Sequence, residues 1–188
     1  MSLYLLRHEK RFPIPTYFTS LTEEGLENSS FLSEEINRIQ PDIIYCSPFL
    51  RCLQTIYPYA KKNNKKVNIE YALYEFLEDP LFTQYNYKHE HTELYEEYPE
   101  LEEIVNKEYQ SHHTLNHITF PENTFTQLNK RLIPFIDYID ETYTGTAIKI
   151  LIVSHGSIVS SIKHYVLTGK EATKDYEFRM GKMLEIKL

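Results

Sequence analysis

Ile150-Leu151-Ile152-Val153-Ser154-His155-Gly156 is an apolar run that stops abruptly at a polar turn. A short, continuous, β-branched run bounded in this way reads as a strand buried on both faces, the kind found inside a parallel sheet. Residues 3–7 form a second such run, leading into Arg7-His8, and Ile43-Ile44-Tyr45-Cys46 forms a third, ending at Ser47-Pro48. In an open α/β sheet, ligands bind outside the carboxyl ends of the strands. Two strand-end imidazoles, His8 and His155, with Arg7 beside one of them, therefore suit the binding of an anion, above all a phosphate.

Helical patterns separate these runs. Thr22 reads as an N-cap, Gly25 falls in the first turn, and Leu26, Phe31, Leu32, Ile36 and Ile39 recur at helical spacing up to Pro41. Ser47-Pro48 is expected to open a second helix, with serine as cap and proline at the first position. A strand over 67–70, a helix over 123–141, a strand over 148–153 and a helix from Gly156 to Leu167 continue the alternation. Met183-Leu184-Glu185-Ile186-Lys187-Leu188 alternates as a half-exposed edge strand does. The pattern predicts an α/β fold: three layers, α/β/α, with a mostly parallel central sheet and helices on both faces. The whole chain, 1–188, reads as one domain. Residues 79–122, acidic and rich in Tyr and His, break the rhythm and are expected to form an inserted cap or lid above the sheet.

Composition narrows the function. The net charge of −7 is concentrated in residues 88–108, where eight glutamates face Lys88 and Lys107; the rest of the chain nearly balances. No basic stripe marks a nucleic-acid partner, and Lys61, Lys62, Lys65 and Lys66 read as a solvated helix end favoured by the macrodipole. No run approaches the length of a membrane span, and the N-terminus lacks the features of a secretory signal. Cys46 and Cys52, the only cysteines, are expected to be free thiols of a cytoplasmic protein. The histidines at 89, 91, 112, 113 and 117 lack a metal-binding pattern and read as cap surface. The tyrosines at 85, 87, 95, 98 and 109 read as cap packing.

Ser47-Pro48-Phe49-Leu50-Arg51-Cys52-Leu53-Gln54-Thr55 carries the next signal. Arg51 falls in the first turn of a helix that begins at a strand end, so its guanidinium reaches the sheet edge that holds His8 and His155. A planar fork of N–H donors matches phosphate oxygens, and free amides at nearby helix starts add positive potential. Arg7-His8, then Ser47-Pro48-x-x-Arg51-x-x-Gln54-Thr55, then Leu73-x-Glu75, then Ser154-His155-Gly156, together with Leu21-Thr22-x-x-Gly25, occur in an order that resembles the histidine phosphatase superfamily, also called the phosphoglycerate mutase-like family. The resemblance covers residues 3–78 and 148–165, and leaves the acidic insertion uncovered.

The resemblance implies a phosphomonoester hydrolase that needs no metal or other cofactor and acts on a phosphorylated substrate. His8 would attack phosphorus as a neutral imidazole and become phosphohistidine, while Arg7, Arg51 and His155 hold the phosphoryl oxygens. Glu75 would give a proton to the leaving oxygen and later activate water, which requires a raised pKa in a partly buried turn. The family usually has a small residue after Arg-His; here Glu9 and then Lys10 follow. A carboxylate pointing into the pocket would repel phosphate. Lys10 and Arg11 are placed either to offset it or to contact a second anionic group of the substrate. Two alternatives stand beside hydrolysis: a mutase-type phosphotransferase, and a non-catalytic phosphate-binding module crippled by Glu9. An asparagine common in mutases is missing, which counts against the former.

Overall fold

The computed structural model describes residues 1–78 and 88–188. Among these residues, five strands form one sheet: β1 (Ser2–Arg7), β2 (Ile43–Cys46), β3 (Asn68–Ile69), β4 (Lys149–Ser154) and β5 (Met183–Lys187), in the spatial order β3-β2-β4-β1-β5. β1 through β4 run parallel, and β5 lies antiparallel on β1 as an edge. Among the described residues, four α-helices cover the sheet: α1 (Glu23–Ile39), α2 (Leu50–Lys62), α3 (Phe125–Tyr143) and α4 (Gly156–Thr168). The fold is the expected three-layer α/β/α arrangement.

The period of two along each strand divides the core. Leu6, Ile44, Cys46, Leu151 and Val153 face α1 and α2, whereas Leu3, Leu5, Tyr45, Ile150 and Ile152 face α3 and α4. β4 is central and nearly fully buried, which is why its sequence is apolar on both faces. Each buried Leu or Ile contributes roughly 1.5–3 kcal/mol relative to exposure. The face of α1 differs from the expected apolar stripe. Leu26 and Phe31 are exposed, and the buried face is Gly25, Ser29, Leu32, Ser33 and Ile36. Small residues allow α1 to approach closely: a Cβ on Gly25 would lie 2.1 Å from the Lys10 carbonyl oxygen. Thr22 caps the helix as expected, accepting from the Gly25 amide.

The start of α2 corrects the sequence reading. The helix begins at Leu50 with Phe49 as its N-cap residue, and Ser47 makes no cap. The Ser47 hydroxyl is instead drawn 2.8 Å from Nε2 of His155. Of the insertion, residues 79–87, with Tyr85 and Tyr87, lie outside the described residues. Short 3-10 turns at His91–Glu96 and Pro99–Ile104 bury Leu94, Leu101 and Ile104 in the same cluster as α2. Val105 bridges to Val67, just before β3. Tyr95 and Tyr98 pack against this cluster and Tyr109 against the other. Lys61 and Lys62 pair with Glu103 and Glu34. Cys46 and Cys52 are free and buried. Among the described residues, no helix is long and apolar enough to cross a membrane.

Candidate active site

Parallel register brings the ends of three strands to one edge. Arg7 pairs with Ser154 and Cys46 with Val153, so the residues that follow each strand emerge side by side. The His8 amide donates to the Ser154 carbonyl at 2.9 Å, and the Ser47 amide to the Val153 carbonyl at 2.9 Å. These bonds extend the ladder by one step and fix where the two imidazoles start. Their rings meet edge to face, with centroids 5.4 Å apart.

The hydrogen bonds of His8 decide its tautomer. Nδ1 lies 2.7 Å from the Glu9 carbonyl oxygen, which can only accept, so Nδ1 carries the proton. Nε2 is left unprotonated, and its lone pair accepts from Arg51 Nε at 3.3 Å. His8 is held well below the ordinary histidine pKa, first by burial and then by the positive charge of Arg51. The neutral, nucleophilic form is therefore the resting form.

Arg51 is fully buried and stands at the centre of the cluster. Its Nη1 donates to the Thr16 carbonyl at 2.8 Å, its Nη2 to Glu75 Oε2 at 3.1 Å, and its guanidinium carbon sits 4.5 Å from the Phe49 ring centroid. His155 Nδ1 lies 3.1 Å from the same carboxylate oxygen. Burial brings the His155 pKa down to about 4; the Glu75 carboxylate opposes this and the Arg51 charge adds to it.

Glu75 departs from the expected protonation. Burial raises its pKa, but the charge and hydrogen bond of His155 and the charge of Arg51 outweigh that, holding the carboxyl well below its usual range. Before an anion binds, Glu75 is a carboxylate.

Arg7 occupies the opposite wall. Its Nη1 donates to the Phe178 carbonyl at 2.6 Å, and its Nε is buried without a partner among the described residues. The guanidinium lies flat on Gly156: a Cβ there would sit 3.0 Å from Cζ and 3.1 Å from Nη1. The glycine after His155 thus makes room for the arginine before His8. Arg11 joins the cluster from the following loop. Nη1 donates to the Phe12 and Pro13 carbonyls, both at 2.7 Å, and Nε is buried and unpaired among the described residues. Its pKa is lowered by burial first and then by the charge of Arg51. Lys10 is not brought to the site; its ammonium is exposed and pairs with Glu24 at 2.5 Å. The Glu9 carboxylate packs against the Gly181 backbone, where a Cβ would come within 2.0 Å of Oε1. Its Oε2 accepts from the Lys10 amide at 3.3 Å.

A solvent-open cavity of about 350 Å³ adjoins this cluster, lined by Arg7, Glu75, Gly156, Ser157, Asp175 and Phe178 among others. Among the described residues, only His8, Glu75 and His155 bring three metal-capable side chains together, with ligand atoms within 4.8 Å of one another. Arg51 donates to both His8 and Glu75 in that same space, so a divalent cation would meet a buried positive charge. The donor set suits an anion better: guanidiniums and imidazoles converge, and two guanidinium N–H groups await acceptors.

Sequence reasoning missed the support behind Glu75. Arg131, on α3, donates from Nη1 to the Ala72 carbonyl at 2.6 Å and from Nη2 to the Glu75 carbonyl at 3.0 Å. Ser154 Oγ donates to the Leu73 carbonyl at 2.9 Å. Neither arginine nor serine stands in a local pattern that announces this.

A sequence-family model described as histidine phosphatase superfamily (branch 1) matches residues 7–186. No curated protein matches at the sequence level. Solved structures do match in fold. The ecdysone phosphate phosphatase of Bombix mori, in complex with tungstate, has a TM-score of 0.70 at 14% identity, over 99% of this chain and 88% of that one. A putative α-ribazole-5′-P phosphatase from Escherichia coli has a TM-score of 0.68 at 20% identity, over 100% and 91%. A mycobacterial glucosyl-3-phosphoglycerate phosphatase has a TM-score of 0.64 at 16% identity, over 99% and 89%.

Proposed function

Because this chain belongs to the histidine phosphatase superfamily, we propose that it hydrolyses phosphomonoesters, without a metal, through a phosphohistidine on His8. The observation that carries the reading is the tautomer of His8. Its proton is committed to the Glu9 carbonyl, and the unprotonated Nε2 accepts only a 3.3 Å bond from Arg51 Nε, a donor that a phosphoryl oxygen would take over. Nε2 attacks phosphorus in line, the P–O bond to the alcohol breaks, and a proton passes from Glu75 to the departing oxygen. Water, deprotonated by the same carboxylate, then attacks phosphohistidine and releases inorganic phosphate with neutral His8.

Arg7, Arg51 and His155 hold the three equatorial oxygens, where charge spreads during transfer. The unpaired Nε of Arg7 is a ready donor for one of them. Arg11, with its own unpaired Nε, adds a contact to the phosphoryl group or to a neighbouring anionic group of the substrate. The packing of the Glu9 carboxylate against Gly181 supports an active site over a crippled binding module. An incoming dianion takes Arg51 and His155 from Glu75 and adds negative charge beside it; both changes raise the carboxyl pKa toward that of a proton donor. The buried free thiols of Cys46 and Cys52 fit a reducing compartment, and we place the enzyme in the cytoplasm.

Hydrolysis of an aryl phosphate tests the reading. His8→Ala is expected to abolish it, and wild type quenched during turnover is expected to carry acid-labile, base-stable phosphate. Full activity in His8→Ala, or phosphate of the reverse lability, overturns the mechanism. Return of the phosphoryl group to a second site on the same product, instead of release to water, would favour the mutase alternative.

A further inference from the structure

We propose that the buried Arg131–Glu122 pair is the positioning device for the proton donor, an inference that rests on the reading of Glu75 given above. Arg131 Nε and Nη2 grip the two Glu122 oxygens at 2.7 and 2.8 Å, and both side chains are almost fully buried. The remaining donors of the same guanidinium reach the Ala72 and Glu75 carbonyls. Glu122 completes the clamp from its own side. Its amide donates to the Leu77 carbonyl at 2.9 Å, and its Oε2 accepts from the Leu77 amide at 3.3 Å. One ion pair thus fixes the backbone before, at and after Glu75.

The geometry of the acid depends on that clamp. Glu75 Oε1 accepts from the neighbouring Phe76 amide at 3.0 Å, which orients the carboxylate so that Oε2 faces Arg51 and His155. Rotation of the 75–76 peptide would swing Oε2 out of the pocket. The peptide carbonyl that would have to move is the one held by Arg131 Nη2. Stability alone is a poor account of this pair, since a buried ion pair often gains nothing over apolar residues of the same size. Lysine cannot substitute: a point charge keeps Glu122 paired but cannot make the bidentate grip and reach two carbonyls at once.

The test uses leaving-group dependence, which a merely structural role does not move. An alkyl phosphate needs a proton on its departing oxygen, whereas p-nitrophenyl phosphate releases p-nitrophenolate, which departs as a stable anion. Arg131→Lys is expected to lower kcat/KM, which reports the steps up to leaving-group departure, about 30-fold on the alkyl ester, a part of the roughly 10²–10⁴-fold that a general acid contributes. On the nitrophenyl ester the loss in kcat/KM is expected to stay under about threefold. Glu122→Gln, which keeps the shape and loses the charge, is expected to show the same selectivity. In a Glu75→Gln background, Arg131→Lys is expected to add almost nothing. Equal losses on both esters, or full additivity with Glu75→Gln, overturn the assignment of Arg131 while leaving that of Glu75. If Glu75→Gln itself lowers kcat/KM equally on both esters, the reading of Glu75 as donor falls, and the inference with it.

Discussion

Gly156→Ala separates catalysis from stability by moving them in opposite directions. Gly156 opens α4, and alanine there removes conformational freedom from the unfolded chain, a gain of about 0.4–1 kcal/mol where the backbone tolerates it. The cost falls on Arg7. The new Cβ would lie 3.0, 3.1 and 3.3 Å from Cζ, Nη1 and Nε, tighter than ordinary contact. The guanidinium must retreat by a few tenths of an ångström, yet its Nη1 is tethered to the Phe178 carbonyl at 2.6 Å. A misplacement of about 1 Å costs on the order of 10²-fold in rate, so this shift should cost roughly three- to tenfold in kcat/KM. Inhibition by inorganic phosphate should weaken in parallel, because the same guanidinium meets product. Thermal melting and steady-state kinetics on one preparation measure both. Unchanged kcat/KM together with unchanged phosphate inhibition would refute the placement of Arg7 against the bound phosphoryl group.

Three further outcomes follow from the packing and the charges. His155 has a folded pKa of about 4 against an ordinary 6.5, so the unfolded chain binds more protons between those values and stability should fall as pH drops through that window. The His155 share of that loss approaches about 3 kcal/mol; in urea unfolding at pH 7 and pH 4.5, wild type should lose more than His155→Asn, while His8, also held low, contributes to both, and equal losses would reject it. Gly25→Ala drives a Cβ to 2.1 Å from the Lys10 carbonyl oxygen and should destabilise by about 2 kcal/mol or more, read as a lowered urea midpoint at unchanged m-value. Glu70 is fully buried and accepts from Tyr109 Oη, Ser111 Oγ and the amides of Ala72, His112 and His113. Glu70→Gln turns one acceptor into a donor facing donors, costing roughly 1–3 kcal/mol, and hydrogen exchange should accelerate at 109–113 before it does in β4.

The residues proposed to hold the anion were legible because they lie at or just beyond strand ends. A run such as Ile150–Val153 declares its own burial, and the residue after it must emerge at the sheet edge, so His8, Arg51 and His155 could be brought together on paper. What lies one layer back was not. Arg131 and Glu122 come from a helix and a loop whose local sequence is ordinary, and only the packing of α3 brings them to the segment that carries Glu75. Ser47 failed for a related reason: its place before a proline made it look like a cap, while a buried imidazole 2.8 Å away claimed the hydroxyl. Leu26 and Phe31 fit a helical stripe, yet the close approach of α1 at Gly25 rotates the small residues inward and leaves those two in solvent.

The same distinction explains the protonation of Glu75. Sequence places it in a partly buried turn, and burial by itself argues for a raised pKa. It does not reveal which charges share the turn. Arg51 Nη2 at 3.1 Å contributes, at an effective dielectric near 20, about 5 kcal/mol of attraction, and His155 adds a hydrogen bond at 3.1 Å. Together these exceed the burial penalty, so the unliganded carboxyl stays ionised. The groups that keep it so are the ones a phosphoryl dianion needs, and they cannot serve both at full strength. In the reading proposed above, binding therefore does more than align phosphorus with His8. It withdraws the positive charge from Glu75, places two negative charges nearby, and so favours the protonated acid at the moment a leaving oxygen requires it.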